Sequence, residues 1–339
     1  MTSAAPPRPA RRSLLARVEE RFLVPAYASP RAEAWIATHD ALALPFQLGG
    51  EVRRSTVPFD GGSLRVVEIG RGKHTGPFCA RLLGARPQGT EHGVVPLVNP
   101  ASLEGLVADL ALAEIHRWMA PRFRRAGWIV VPDDVRWHGE LSRLPPPRAT
   151  PSLKSDLSKV RRFGYTLVQG ATDVDWEEFY DRMVLPQARA RFGEDAWIPS
   201  ERLRRELAER ATLHFVRRDG LRVAGICSIR VGGMLWLPLM GIKRGDPALL
   251  KEGAYSAAFA LLFEWARAQG CTHVDAGRTS AFTLDGIQRF KRKWGLEPAA
   301  DPLTHLVAVR VGPAAAAAFA RQPVLVETGV GLEIYPGPR

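Results

Sequence analysis

The residue types best suited to chemistry gather in the run Asp275-Ala-Gly-Arg-Thr-Ser-Ala-Phe-Thr-Leu-Asp-Gly-Ile-Gln-Arg-Phe-Lys-Arg-Lys-Trp-Gly295. Charge, glycine and aromatic rings are concentrated there where a core would not want them, which marks a ligand-facing edge. Asp275 and Arg278 flank a glycine at a strand end, a placement that suits a paired carboxylate and guanidinium. Such a pair either orients a substrate or ties the strand to the next helix. His273 alternates with Asp275 on one strand face and could accept a proton near neutral pH, although a lone histidine is more often packed in a core. Arg289, Lys291, Arg292 and Lys293 crowd one short helix beside Phe290 and Trp294, and spacing alone describes no more than a basic face.

A second candidate lies at the start of a long apolar helix. Free N–H groups near Gly253 and Ala254, with Lys243 or Arg244 adding charge, could hold a phosphate; a solvated surface loop is the plain alternative. Tyr255 stands in the first turn of that helix, as packing or as a proton donor. Arg161 and Arg162 close a third basic segment, Lys154 to Arg162, able to grip RNA or an anionic sugar nucleotide, or simply to face solvent.

Composition narrows the choice. The 47 Lys+Arg against 35 Asp+Glu give a net charge of +12, which favours anionic partners without choosing among them. Eight histidines and three cysteines (Cys79, Cys227, Cys271) show no metal-ligand spacing, so no metal site is expected. The cysteines fit a reducing compartment, and neither a Gly-x-Ser-x-Gly elbow nor a P-loop occurs. No apolar run is long enough to span a bilayer, and no export segment follows Arg11-Arg12. A cytoplasmic protein is the expectation, with peripheral membrane contact still open.

The elements that position these residues read as follows. At 339 residues two domains are expected, divided at Leu144-Pro-Pro-Pro-Arg-Ala-Thr-Pro151, a stiff extended connector. The boundaries are 1–147 and 148–339. In the first part, residues 13–23 suit an amphipathic helix. Ser63–Ile69 and Phe78–Leu83 read as strands, and Val94–Val98 as an edge strand because Pro96 lacks a donor. Ser102 is expected to cap a helix carrying Leu103, Leu106, Leu110 and Ala113 towards Trp118, before a strand over Gly127–Val131. In the second part, Ser152 is expected to cap a helix, and Asp175 with Glu178 to form a capping box. A helix over Glu201–Arg210 precedes three antiparallel strands joined by Asp219-Gly220 and Gly232-Gly233, strong hairpin turns. The apolar helix Gly253–Gln269 and a strand Cys271–Asp275 complete the plan. The fold class is α/β of the α+β type, with mixed, largely antiparallel sheets and one plan used twice.

Asp275-Ala-Gly-Arg278, Gly286-Ile-Gln-Arg-Phe-Lys291 and Trp294-Gly295 resemble the signature of FemAB-like proteins, also known as the BioF2-like acetyltransferase domain, within the GNAT superfamily. Ser152–Arg162 is similar to that family's basic first helix, and the resemblance covers about residues 140–310. It implies tandem GNAT-like domains and transfer of an acyl or aminoacyl group to an amine of a small-molecule, glycan or peptide acceptor related to the cell envelope. The donor implied is acetyl-CoA or another acyl-CoA, or aminoacyl-tRNA. Lys291, with Arg278, is implied as the stabiliser of the oxyanion. Asp275, Thr279, Phe290, Trp294, Arg161 and Arg162 would contact substrate. Two positions depart from the pattern: Lys251-Glu-Gly-Ala254 carries one glycine where acetyl-CoA-binding relatives carry more, and Thr279 replaces a serine. A non-catalytic protein binding an anionic polymer is the remaining alternative.

Overall fold

A computed structural model describes residues 49–193, 196, 198–301 and 304–337. The helix expected over residues 13–23 lies outside them.

The first strands are β1 (Gly49–Phe59), β2 (Gly62–Gly70), β3 (Thr90–Pro96), β4 (Leu110–Ile115) and β5 (Ile129–Pro132), with helix α1 (Thr75–Leu83) after β2 and α2 (Ala120–Arg125) before β5. Asp60 and Gly61 take positive φ between β1 and β2, as a two-residue hairpin turn requires. Next come β6 (Asp134–Glu140), α3 (Pro151–Arg162), β7 (Thr166–Gly170) and α4 (Asp173–Phe179), which continues through a π-helical turn at Tyr180–Val184 into α5 (Leu185–Phe192). The chain goes on with α6 (Glu201–Arg210), β8 (Thr212–Arg218), β9 (Leu221–Val231), β10 (Met234–Ile242), α7 (Pro247–Lys251), α8 (Ala254–Ala268), β11 (His273–Ser280) and α9 (Gly286–Lys293). It ends with β12 (Glu297–Ala300), β13 (Leu306–Val311), α10 (Ala316–Arg321), β14 (Val324–Glu327) and β15 (Leu332–Tyr335).

These strands form one sheet ordered β3-β1-β2-β4-β13-β5, a second ordered β12-β6-β11-β10-β9-β8-β7, and the small pair β14-β15. The class is mixed α/β with mostly antiparallel sheets, as expected. Each large sheet contains one parallel pair, β2/β4 in the first and β10/β11 in the second. Each also takes a strand from across the proline-rich segment: β13 completes the first sheet and β6 the second. The two crossings touch, because Asp133 N–H donates to His305 O (2.9 Å) and Asp134 N–H to Thr304 Oγ1 (2.9 Å). One hydrophobic core runs from Val66 and Leu112 of the first sheet through Trp137 to Phe259 and Trp294 of the second.

The hairpins, the edge strand with Pro96, α6 and the long helix α8 form as expected. Several local readings do not. Phe78–Leu83 lies in helix α1, where Phe78, Cys79 and Leu82 are buried at helical spacing and Gly84 ends the helix in the left-handed region. Leu110–Ile115 is strand β4 rather than helix; the short turn before it is capped by Asn99, and buried β2 and β13 on either side favour extended pairing. Thr150, not Ser152, caps α3, with Pro151 in its first turn. The capping box of α4 joins Thr172 to Asp175, one turn earlier than expected, and leaves Glu178 to pair with Arg222. The proline run is packed down, since Arg267 donates to the carbonyls of Leu141 and Leu144 (3.1 and 2.9 Å). Pro146 also closes on Gly295, where an added Cβ would sit 3.2 Å from it.

Candidate functional site

The site begins with two strands that part. β10 and β11 pair in parallel over Met234–Trp236 and His273–Asp275. Beyond these rows β10 shifts register against β9 between Trp236 and Leu239, and β11 shifts against β6 between Asp275 and Arg278. Gly277 sits in the second bulge with φ 74°, and a Cβ there would stand 3.2 Å from the Leu237 carbonyl oxygen. Glycine is needed both for the left-handed backbone and for the close approach. Asp275 closes the turn, its Oδ1 accepting from Gly277 N–H at 2.8 Å. Because β11 runs on to Ser280, Asp275 lies inside the strand, not at its end.

Helix α9 folds back over this bulge. Asp285 caps it, accepting from the N–H groups of Ile287 (2.7 Å) and Gln288 (3.3 Å). Gln288 Nε2 donates to Ser280 O at 2.5 Å, and one turn later Lys291 Nζ donates to the carbonyls of Gly277 and Arg278, both at 3.1 Å. Lys291 is only 5% exposed. Burial therefore disfavours its ammonium and brings its pKa down to about 7, with Asp275, Asp134 and Asp285 opposing the fall and Arg191 adding to it. A lysine titrating there exists in both forms at neutral pH, and as an ammonium it has a third donor beyond the two carbonyl bonds.

Around the bulge runs a web of paired charges. The Arg278 guanidinium is bonded through Nε to Asp301, which is fully buried. Arg136 on β6 bridges Asp275 (3.3 Å) and Asp301 (3.3 Å), and Arg117 donates to the Asp301 carbonyl at 2.7 Å. Asp134 is pushed up to about 6 by burial and by the neighbouring Asp133, with Arg278 opposing. His74 reaches into the same junction, its Nδ1 2.8 Å from Asp133 Oδ2 and its ring stacked 4.0 Å from that of His305. Burial works against the His74 imidazolium, but Asp133 and Glu114 outweigh it and raise the pKa.

The remaining candidates divide. Tyr255 lies close by: its ring meets Phe290 edge-on at 5.1 Å, burial raises its hydroxyl pKa, and the Arg191 that acts on Lys291 opposes that rise. Thr279 is buried and accepts from Trp137 Nε1 at 2.8 Å. Trp294 is fully buried among Phe259, Phe263 and Phe290, so it packs the core. His273 is exposed at the opposite end of β11, beside Thr272 Oγ1 at 2.9 Å. Arg161 and Arg162 are exposed at the end of α3, with Arg162 over the Phe163 ring.

Gly253 opens α8 at φ 92°, and Ala254 after it is buried. The first turn of α8 is met by α3: Ser256 Oγ bonds Asp156 Oδ2 at 2.8 Å, and a Cβ on Gly253 would lie 3.3 Å from Lys159 Cβ. Lys243 and Arg244 form a turn in which Arg244 takes φ 54°. That turn rests on α5, where a Cβ on Gly245 would come within 3.1 Å of the Pro186 carbonyl. At its other end α5 supplies Arg191, which pairs with Asp285 (3.4 Å). The same carboxylate holds Arg81 from α1 (3.0 Å). Arg136, Asp301, Asp134 and Arg191 were not singled out from the sequence; only Asp285-Gly286, a cap before a helix, carried a local signal.

Residues 152–292 match the family model described as an acetyltransferase (GNAT) domain. This segment is similar to GNAT acetyltransferase domains. It holds the parted strands and Lys291, while Arg136 and Asp301, which brace the bulge, lie outside the matched residues. No curated protein matches the chain. Among solved structures the chain is similar to FemX (11% identity, 86% of this chain and 95% of that one, TM-score 0.42). It is also similar to L-PGS from Bacillus licheniformis (15%, 76% and 84%, 0.39). A third is the C-terminal domain of a putative lysylphosphatidylglycerol synthetase from Agrobacterium fabrum (13%, 91% and 95%, 0.40). Among the described residues no group of three or more His, Cys, Asp or Glu side chains could hold a metal ion, and no helix is long and apolar enough to cross a membrane.

Proposed function

We propose that the GNAT domain transfers an acyl or aminoacyl group directly to an acceptor amine in the cleft where β10 and β11 part. The observation that supports this is the buried Lys291, held by two carbonyls at the bulge of β11. The unprotonated amine attacks the carbonyl carbon of a thioester or ester donor. The carbonyl oxygen gains the electron pair, the third donor of the Lys291 ammonium stabilises it, and the bond to sulfur or oxygen then breaks. The amine gives up a proton to solvent, and Tyr255, held protonated by its raised pKa, donates one to the leaving group. Asp275 and Gly277 shape the bulge. Arg278, bonded to Asp301, positions that backbone rather than presenting a free cation.

Lys243 and Arg244 on the turn after β10 would meet the donor's phosphates, which both acyl-CoA and aminoacyl-tRNA carry. Asp156 already stands against the first turn of α8, which leaves the donor to be held by side chains more than by that helix end. Cell-envelope or polysaccharide precursors are the acceptor class in this reading, and the cytoplasm the compartment. Residues 148–339 would form the catalytic unit and 1–147 a degenerate GNAT-like unit, each lending the other one strand.

Purified chain assayed with radiolabelled acyl-CoA, and separately with charged tRNA, over a panel of amine acceptors tests the reading. Product with acyl-CoA in ribonuclease-treated mixtures identifies the CoA branch, and product only with charged tRNA the aminoacyl branch. No product with any donor, together with binding of an anionic polymer, would leave the non-catalytic alternative.

A further inference from the structure

A cavity lies away from the parted strands, in the first sheet. Its volume is about 470 Å³, within the range of small-molecule sites, and it opens between β1, the turn that leads into α1, and the segment after α1. Three cations from three different segments line it: Arg53 of β1, Lys73 of the turn and Arg86 beyond the helix. Glu68 of β2, directly opposite Arg53 in the strand register, lines it as well.

Glu68 is the unusual member. It is only 5% exposed, and its Oε1 has no hydrogen-bond partner. A buried carboxyl oxygen left unpaired is costly, and a donor arriving from outside would offset that cost. Burial raises the Glu68 pKa; the Thr75 hydroxyl, an internal donor to the carboxyl, and the Arg53 charge oppose the rise. The surrounding glycines leave room for such a donor. At Gly76 an added Cβ would stand 3.8 Å from Glu68 Oε1, and at Gly72 it would collide with Arg53 Nη1 at 2.1 Å.

The helix end itself is already occupied. Glu114 accepts from the N–H groups of Arg71 (2.8 Å) and His74 (2.7 Å), so the backbone is organised around an internal carboxylate. An anion in the cavity would therefore be held by side chains. Arg53 already pairs with Glu51 at 2.9 Å, but with Lys73 and Arg86 it keeps the cavity cationic, which suits a phosphate, and Glu68 Oε1 suits a hydroxyl a few bonds away.

From this arrangement we infer a second ligand site, independent of acyl transfer, that binds a small phosphorylated polyol: its phosphate on Arg53, Lys73 and Arg86 and one hydroxyl on Glu68. Calorimetric titration of the full chain with ribose 5-phosphate, inorganic phosphate and ribose tests it without any activity readout. Ribose 5-phosphate is expected to bind about tenfold more tightly than inorganic phosphate, and ribose alone not measurably. Lys73→Ala/Arg86→Ala should weaken the phosphate ester by about tenfold or more. Gly76→Val, which fills the space before Glu68 without a positive-φ conflict, should bring the ester down to the affinity of phosphate. Equal affinity for phosphate and its ester in the wild-type chain would mean an adventitious ion only and overturn the inference. So would absence of binding, or binding unchanged by either variant, with circular dichroism showing each variant folded.

Discussion

The two large sheets carry the same feature in different states. In the first, β2 and β4 run parallel with Val66–Ile69 opposite Leu110–Ala113 in unbroken register. In the second, β10 and β11 keep three parallel rows and then part, with a register shift on the far side of each strand. Apart from Glu68, the closed pair is built of buried Val, Ile, Leu and Ala. The open pair carries Asp275, Gly277 and Arg278 at the corresponding gap, and a lysine from α9 closes over it. A strand pair that stays closed contributes stability, whereas one that opens exposes backbone carbonyls a ligand or a lysine can meet.

Both helix ends beside these pairs are met by an internal carboxylate, Glu114 at α1 and Asp156 near the start of α8. The helix dipole is therefore partly answered within the protein in each half. What distinguishes them is the buried ionisable group: a lysine held on two carbonyls over the open strands of the second sheet, and a glutamate with one unpaired oxygen among the closed ones of the first.

That contrast can be broken at several points. Lys291→Met keeps the length but not the charge, and turnover should fall by about 10²–10³-fold while circular dichroism is unchanged, as for loss of one oxyanion donor. Turnover within a factor of about two of wild type would remove Lys291 from the chemistry. Ile69→Ala in the closed pair should do the reverse, lowering unfolding free energy by about 2–5 kcal/mol with kcat/KM per folded molecule preserved; denaturant titration reads this directly. Between the two stands Gly277→Ala. A Cβ at φ 74° and 3.2 Å from Leu237 O should cost about 1–3 kcal/mol and lower turnover together, since one bulge serves both. If stability falls and kcat does not, the bulge is structural only.

Titration gives a gentler test. The Lys291 ammonium is the active form in the proposed reaction, so kcat should decline as pH rises through about 7, and the decline should vanish in Lys291→Arg. Stability moves the other way. With the folded pKa about 7 and the ordinary value 10.5, the unfolded chain binds more protons between them. Wild-type stability should therefore gain on that of Lys291→Met as pH rises through this window, with the wild-type penalty fully present below it. A difference between the two proteins that stays flat from pH 6 to about 10 would contradict the burial of that charge.

Local rules explain most of what could be read in advance. The Asp-Gly turns, the glycine after α8 and the alternation of β8 to β10 are short-range effects, visible wherever the chain is cut. Phe78–Leu83 and Leu103–Ala113 failed because short apolar runs satisfy both helical and strand spacing, and the neighbours decide. Lys291, Arg278 and Asp275 were legible as a group because one motif carries them all. Arg136 and Asp301 were not, being 139 and 26 residues from Asp275 by subtraction of their numbers and brought to it only by strand exchange.

The amino-acid sequence by itself determined the class of fold, the hairpins, the long apolar helix and the motif from Asp275 to Gly295, because each depends on propensity and spacing within a few turns of chain. Only the tertiary structure decided that β6 and β13 change places between the sheets, that Lys291 is buried on two carbonyls, and that one oxygen of Glu68 is buried unpaired. Those outcomes depend on which distant backbone fills the last place in a sheet, and on how much water is left beside a charge once it does.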